Sequence, residues 1–273
     1  MTDLWVSLAV LGVAVLLSEA VRRAAARLSP GVSGIYLVEA ASTFQLCCCA
    51  HELKLLGEAA RLEAPLSLTL TYIITVIHVS TFGGATCNPC GVLESVYRGT
   101  STARAAVVIV ACQFGAALAA RHFAASVWSL ALSDIHLRHK RFGFRCFDPL
   151  GGTVLEAAAV ELACAFAVQT VVMWTVVRKV DPKLRAHGIA AAITALVYAG
   201  GSTSGAVFNP VLAFSIQFPC SGHTYLEYCF IYWLGPIVGV ASCILLFEKI
   251  VPFLSGKSTV GLDAPAVQKQ KTQ

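Results

Sequence analysis

Charged residues and asparagine are both scarce in this chain. Only 13% of the 273 residues are charged, whereas an ordinary soluble domain has about 25%. Hydrophobic residues make up 57% of the sequence and the mean hydropathy is +0.73. The apolar runs are long and rich in Ala and Leu, unlike the short alternating segments of a membrane barrel. The composition therefore indicates an all-α membrane protein with about six to seven spanning helices.

The basic residues do not point to an anionic partner, although the net charge is +5. They lie in the connections between apolar runs, where Lys and Arg orient membrane helices, so no nucleic-acid partner is expected. Most of the 11 cysteines lie in apolar stretches, where a free thiol packs as a small hydrophobe. The sequence has no zinc-type spacing, phosphate loop or nucleophile–base set, so we expect no metal, no cofactor and no enzyme activity.

Seven apolar runs are each near the ~20 residues that cross a bilayer: residues 4–21, 32–51, 66–82, 103–132, 154–177, 185–201 and 227–248. Two shorter segments, 88–98 and 209–218, follow Asn-Pro and are too short to cross. They are either re-entrant half-helices or ordinary loops. Asn followed by Pro is a helix-start signal, which favours half-helices.

The distribution of Lys and Arg predicts the orientation. Thirteen of the 20 lie on one side of the predicted spans, six lie on the other, and Arg121 falls inside a span. The positive-inside rule puts the larger group, and the C-terminus, in the cytoplasm. The first segment is either a retained signal-anchor helix or a cleaved signal peptide. It lacks a basic n-region and begins beside Asp3, which favours retention.

An internal repeat organises the rest of the chain. Its only asparagines are Asn88 and Asn209, and both follow a Gly-Ala pair by the same spacing and precede proline. Glu39 lies 49 residues before the first and Glu161 lies 48 residues before the second. Each half holds three spans, so the second half is inverted and the two Asn-Pro segments meet near the bilayer midplane. Non-helical backbone at that depth must line a watery cavity, so the pattern predicts a pore.

These features resemble the aquaporin, or major intrinsic protein, family and within it the superaquaporin branch. The likeness covers about residues 32–250 and includes both pore motifs: Asn88, Pro89 and Cys90, then Asn209, Pro210 and Val211. It implies an inverted-repeat bundle of six spanning helices and two half-helices, with an additional N-terminal segment. It also implies that both asparagines donate to a permeant and that Glu39 and Glu161 support their loops.

The resemblance further implies a homotetramer that passes water, glycerol and hydrogen peroxide. It would lie in the lipid of the endoplasmic reticulum membrane or, as the alternative, of the plasma membrane. The chain divides accordingly into an N-terminal hydrophobic segment, a channel domain with two repeats, and a polar, disordered cytoplasmic tail. The boundaries are 1–30 for the segment, 31–250 for the channel (repeats at about 32–145 and 154–250) and 251–273 for the tail.

The outer selectivity filter departs from the family pattern. The family has an Arg two residues after the second Pro, and this chain has Leu212 there. Ungapped spacing puts Val197 and Ala206 at two other filter positions, and Leu68 at the facing aromatic position. This filter would be apolar and uncharged. We expect looser selection, tolerance of small alcohols or peroxide, and slower water passage.

Several residues leave alternatives open. Arg121 and His122 are a pore-lining or inter-subunit pair, or the span ends near Ala120, or Arg121 reaches the interface. The basic run 134–141 is a binding patch or a solvated loop, with the loop favoured.

The cysteines add two further alternatives. Cys146 and Cys220 would face the oxidising side and could pair with each other or with a neighbouring subunit. The thiol of Cys90 at a helix start raises an alternative function, a redox sensor, and a scaffold with an occluded pore is another.

Overall fold

The computed structural model describes residues 2–29, 31–59, 62–144, 146 and 150–251, and this part of the chain is helical without a β-strand. We number ten helices in chain order: α1 Thr2–Leu28, α2 Val32–Ala59, α3 Ala64–Thr81, α4 Pro89–Tyr97, α5 Ala103–Ser129, α6 Asp134–Arg141, α7 Val154–Val177, α8 Pro182–Ser204, α9 Pro210–Ile216 and α10 Tyr225–Ile250. The predicted all-α bundle with an additional N-terminal segment is confirmed. The predicted disordered tail lies outside the described residues, apart from Val251.

Six helices are long and apolar enough to cross a membrane, namely α1, α2, α3, α5, α7 and α10. Helix α8 is less apolar, and its first turns contain Lys183 and Arg185. It nevertheless has 23 residues, which corresponds to about 35 Å and exceeds the ~30 Å of a hydrocarbon core. The short helices α4 and α9, with 9 and 7 residues, cannot span.

The long helices pack as two similar halves. Helix α2 packs on α5 in the first half, and α7 packs on α10 in the second. Helices α3 and α8 pack on each other and join the halves. Glycine allows the closest approach: a Cβ added to Gly239 of α10 would lie 2.3 Å from the carbonyl oxygen of Leu162 on α7. Half-helices α4 and α9 lie inside this frame, against α5 and against α2 and α5 respectively.

Helix α1 is held to the bundle by buried polar contacts as well as by apolar packing. Near its end, Arg22 donates to the Gln45 side chain of α2 at 2.8 Å. Near its start, the Ser7 hydroxyl donates to Glu52 of α2 at 2.5 Å. Both partners on α2 are buried. An apolar sequence alone would let α1 slide or rotate in lipid, whereas these bonds fix its register on α2.

The basic run between α5 and α7 is a short helix, so the expectation of a loop was wrong, although Arg138, Lys140 and Arg141 are exposed as a solvated segment requires. Helix α6 has Ser133 as its N-cap, and Asp3 of α1 accepts from the backbone N–H of Asp134 at 2.9 Å. Ile135 and His136 in its first turn are buried, and His136 bonds Glu52 at 3.0 Å. The sequence does not predict this helix, because only two of its residues, Ile135 and His136, are buried and they form no periodic pattern.

Cys146 and Cys220 form a disulfide, with Cα atoms 4.7 Å apart. This bond joins the connection after α6 to the segment that follows α9. The backbone N–H of Ser221 also donates to the carbonyl oxygen of Cys146, at 3.2 Å. The other nine cysteines carry free thiols.

The disulfide gives a simple count to check. Alkylation of the denatured, unreduced protein should label the nine free cysteines, and alkylation after reduction should label all 11. Mass spectrometry of the intact protein reads both numbers. In a Cys146→Ser variant the unreduced count should rise to ten, because the thiol of Cys220 is released. Labelling of all 11 without reduction would contradict the pairing.

Candidate functional site: the meeting point of the two half-helices

Both half-helices begin in the same way. Asn88 and Asn209 are N-caps with extended backbone, and a proline occupies the first helical position after each. The side-chain oxygen of Asn88 accepts from the N–H of Cys90 at 2.9 Å. That of Asn209 accepts from Val211 at 3.1 Å. The caps use only the amide oxygens, so both NH₂ groups remain available as donors.

The two asparagines are brought together across the repeat. The NH₂ group of Asn209 donates to the carbonyl oxygen of Cys87 at 2.8 Å. In the opposite sense, the NH₂ group of Asn88 donates to the carbonyl oxygen of Phe208 at 3.4 Å. Each asparagine thus binds the residue that precedes the other. The N-termini of α4 and α9 therefore meet, and their partial positive charges point at one place.

Glu39 of α2 lies behind the first Asn-Pro loop. Its carboxylate accepts from the backbone N–H groups of Thr86 at 3.1 Å and Cys87 at 2.7 Å, and from the Thr86 hydroxyl at 2.9 Å. Gln113 of α5 donates to the same carboxylate at 2.7 Å. Glu39 is 4% exposed. A buried charge of this kind needs several donors, and here the loop backbone supplies two of them.

Glu161 of α7 occupies the equivalent place in the second half. It accepts from the backbone N–H groups of Val207, at 3.0 Å, and Phe208, and from the hydroxyl of Ser204 at 2.6 Å. Both glutamates were predictable from their spacing, whereas Gln113 and Ser204 were not predicted. Each could have been noticed as a polar residue in an apolar setting: Gln113 lies inside an apolar run, and Ser204 lies at the end of α8.

The residue before each asparagine has left-handed backbone, with φ of 51° at Cys87 and 37° at Phe208. Non-glycine residues adopt this region rarely, at a cost of about 1–3 kcal/mol. The N–H of each is bound by a glutamate. A charged hydrogen bond contributes about 1.5–3 kcal/mol, enough to offset the strain. The carboxylates therefore hold the turns that aim the two asparagines.

The four filter candidates lie in different environments. Leu212 is in α9 and packs against apolar clusters of both halves. Ala206 is buried in the loop before Asn209. Val197 is a partly buried residue of α8, and Leu68 of α3 lines a groove of about 430 Å³ between α3 and α8.

The structure bears on two of the alternatives that the sequence left open, those for Arg121 and for Cys90. Helix α5 continues to Ser129, so the proposed end of this span near Ala120 was wrong. The guanidinium of Arg121 reaches the far end of α9, where it binds the carbonyl oxygen of Ser215 at 3.3 Å.

Cys90 is only 2% exposed, whereas reactive cysteines are partly accessible. Its burial disfavours the redox sensor.

Comparison with known proteins agrees with this geometry. Residues 66–247 match the major intrinsic protein family. The chain belongs to this family. It is 37% identical to aquaporin-11 of Homo sapiens over 229 residues, which cover 84% of this chain and 83% of that protein. It is 30% identical to aquaporin-12 of Mus musculus over 259 residues, which cover 93% and 89%.

The fold is also that of a solved structure. The aquaglyceroporin from Plasmodium falciparum superposes with a TM-score of 0.67, covering 82% of this chain and 99% of that one, at 13% identity. The membership and the fold together make this chain a multi-pass membrane channel for water or small solutes. Its relatives in the superaquaporin branch are channels and not enzymes.

The support of the second loop can be tested by Glu161→Gln. The amide keeps the shape but replaces one acceptor oxygen by a donor that faces N–H groups. The midpoint of thermal unfolding in detergent should fall by roughly 5–10 °C. Glu58→Gln makes the same change at a side chain that is 67% exposed, and should shift the midpoint by about 1 °C or less. Equal shifts in the two variants would refute the support by Glu161.

Proposed function

We propose that this protein is a passive channel for water and small neutral solutes such as glycerol and hydrogen peroxide. The observation that carries the proposal is the meeting of Asn88 and Asn209, whose amides cross between the two halves. No chemical step is required of such a site. A permeant needs only a hydrogen bond that replaces the one it leaves in water.

The asparagines supply that bond. Each NH₂ group has two N–H donors, and the crossed bond to the opposite loop uses one of them. The second donor of Asn88 and of Asn209 binds the oxygen of a permeant at mid-pore. A water molecule held by both donors cannot pass a proton along the file, and the positive ends of α4 and α9 repel cations.

The filter then decides which solutes reach this point. Leu212, Val197, Ala206 and Leu68 would make an apolar neck without a fixed charge. Such a neck lowers the cost of passing a carbon-bearing solute and gives water fewer hydrogen bonds on the way. Glycerol and peroxide therefore pass, and water moves more slowly than through a polar filter.

The orientation follows from charge and from the disulfide. The side with 13 basic residues and the C-terminus faces the cytoplasm. The Cys146–Cys220 bond then lies on the opposite side, as a disulfide requires an oxidising compartment. By resemblance to the superaquaporin branch this compartment is the lumen of the endoplasmic reticulum, and the channel is a homotetramer.

The mid-pore site is tested by stopped-flow permeability of proteoliposomes. Asn209→Asp removes both donors of one amide and adds a negative charge, so the flux of water, glycerol and peroxide should fall about tenfold per channel. Thr100→Asp adds the same charge in an exposed connection and should leave the fluxes unchanged. Wild-type fluxes no higher than those of empty liposomes would refute the channel.

The filter is tested separately by Leu212→Arg, which restores the residue that the family has at this position. Glycerol and peroxide flux should fall about tenfold relative to water flux, because the charged side chain narrows and hydrates the neck. Leu212→Met keeps an apolar side chain of similar volume and should preserve the ratio. An unchanged ratio in the Arg variant would remove Leu212 from the filter.

A further inference from the structure

The far end of α9 presents backbone carbonyl groups that have no partner within the helix. The helix has seven residues, Pro210–Ile216, and the last four carbonyl groups of any helix have no partner within it. These carbonyls carry the negative end of the helix dipole. The N-terminus of α9 meets the other half at Asn209, so this end lies one helix length from the meeting point, beyond Leu212.

Two cations from different helices bind this end. Arg121 of α5 donates to the carbonyl oxygens of Phe214, Ser215 and Phe218, the second at 3.3 Å. Lys54 of α2 donates to the carbonyl oxygen of Ile216 at 3.0 Å. Four carbonyl oxygens are thus covered by two positive side chains.

The charge of Arg121 is not balanced by an acidic side chain. Within the described residues no carboxylate lies within 4.0 Å of its guanidinium. Its other neighbour is the ring of Phe214, whose centroid is 5.2 Å from Cζ. Lys54 has a carboxylate at 4.0 Å, that of Glu58, which is 67% exposed and therefore screened by solvent. A net positive charge remains at the end of α9.

We propose that Arg121, assisted by Lys54, supplies the cation-excluding charge that Leu212 cannot supply. The inference rests on the proposed channel function and concerns the ions that the channel rejects. Leu212 and Ser215 are three residues apart, which is about 4.5 Å along a helix. The charge therefore lies about one helical turn from the family's arginine position, and reaches it from α5 instead of α9.

The two effects of Arg121 act in the same direction. Its own charge repels a cation, and its donors neutralise carbonyl groups that would otherwise attract one. A unit charge about 10 Å from an ion, at an effective dielectric constant of about 20, changes the local cation population by roughly tenfold. Loss of the side chain should therefore change ion rejection more than it changes the passage of neutral solutes.

The test compares proton and potassium leak with water flux in the same proteoliposomes. Arg121→Gln should raise the ratio of leak to water flux about tenfold. Arg121→Lys keeps the charge and should keep the ratio within about twofold of wild type. Arg104→Gln removes an exposed charge from the other end of α5 and should not change the ratio.

A second pair of variants separates charge from support of the half-helix. Lys54→Gln leaves Arg121 in place and should raise the ratio about threefold, which keeps the test available if Arg121→Gln does not fold. The double variant Arg121→Gln with Leu212→Arg should restore ion rejection, because the charge returns to the family's position. Equal leak in Arg121→Gln and Arg121→Lys, or no rescue in the double variant, would overturn the inference. Arg121 would then only support the end of α9.

The outcomes also separate this inference from the channel proposal. Absence of a leak in both Arg121→Gln and Lys54→Gln overturns the inference, whatever the wild-type solute flux. A wild-type protein without solute flux contradicts the proposed function. An absolute proton or potassium leak that then appears in Arg121→Gln and not in Arg121→Lys would still support the charge of Arg121 as a barrier to ions.

Discussion

Two buried carboxylates, Glu39 and Glu161, hold the loops on which the meeting of the two half-helices depends. Each accepts the two backbone N–H groups just before an asparagine, and so holds a left-handed turn that would not persist alone. The turn aims the asparagine, and the asparagine caps a half-helix. At the far end of α9, Arg121 and Lys54 bind the carbonyl groups that the helix leaves free. A charge buried in a membrane is expensive, and here each one is satisfied by backbone that would be equally expensive to leave unpaired.

Much of this arrangement was predictable from the sequence, for a physical reason. Membrane helices must be long and apolar, so their boundaries are visible, and two asparagines in 273 residues mark the repeat without an alignment. Matched spacing then identified Glu39 and Glu161. The contacts of Arg121 were not predictable, because its partners are carbonyl groups 93 to 97 residues away, and backbone acceptors leave no mark in a sequence. Helix α6 was missed since one buried turn has no period to detect.

The additional helix α1 is also held by polar contacts with other helices. It brings Ser7, Asp3 and Arg22 to partners on α2 and α6, and the Glu52 carboxylate collects donors from α1, α5 and α6. Gln45 and Ser42, which receive Arg22, also bond the end of α3, directly before the first Asn-Pro loop. Helix α1 is thereby connected to the pore loop through two side chains, although it lies outside the repeat.

The crossed bonds between Asn88 and Phe208, and between Asn209 and Cys87, have a consequence for the history of such a protein. In each case the acceptor of the asparagine NH₂ group comes from the other half. A half-length ancestor would have had to associate with an inverted copy of itself before either amide found its acceptor. A single chain that holds both copies lets each differ from the other, as Cys90 and Val211 behind the two prolines do.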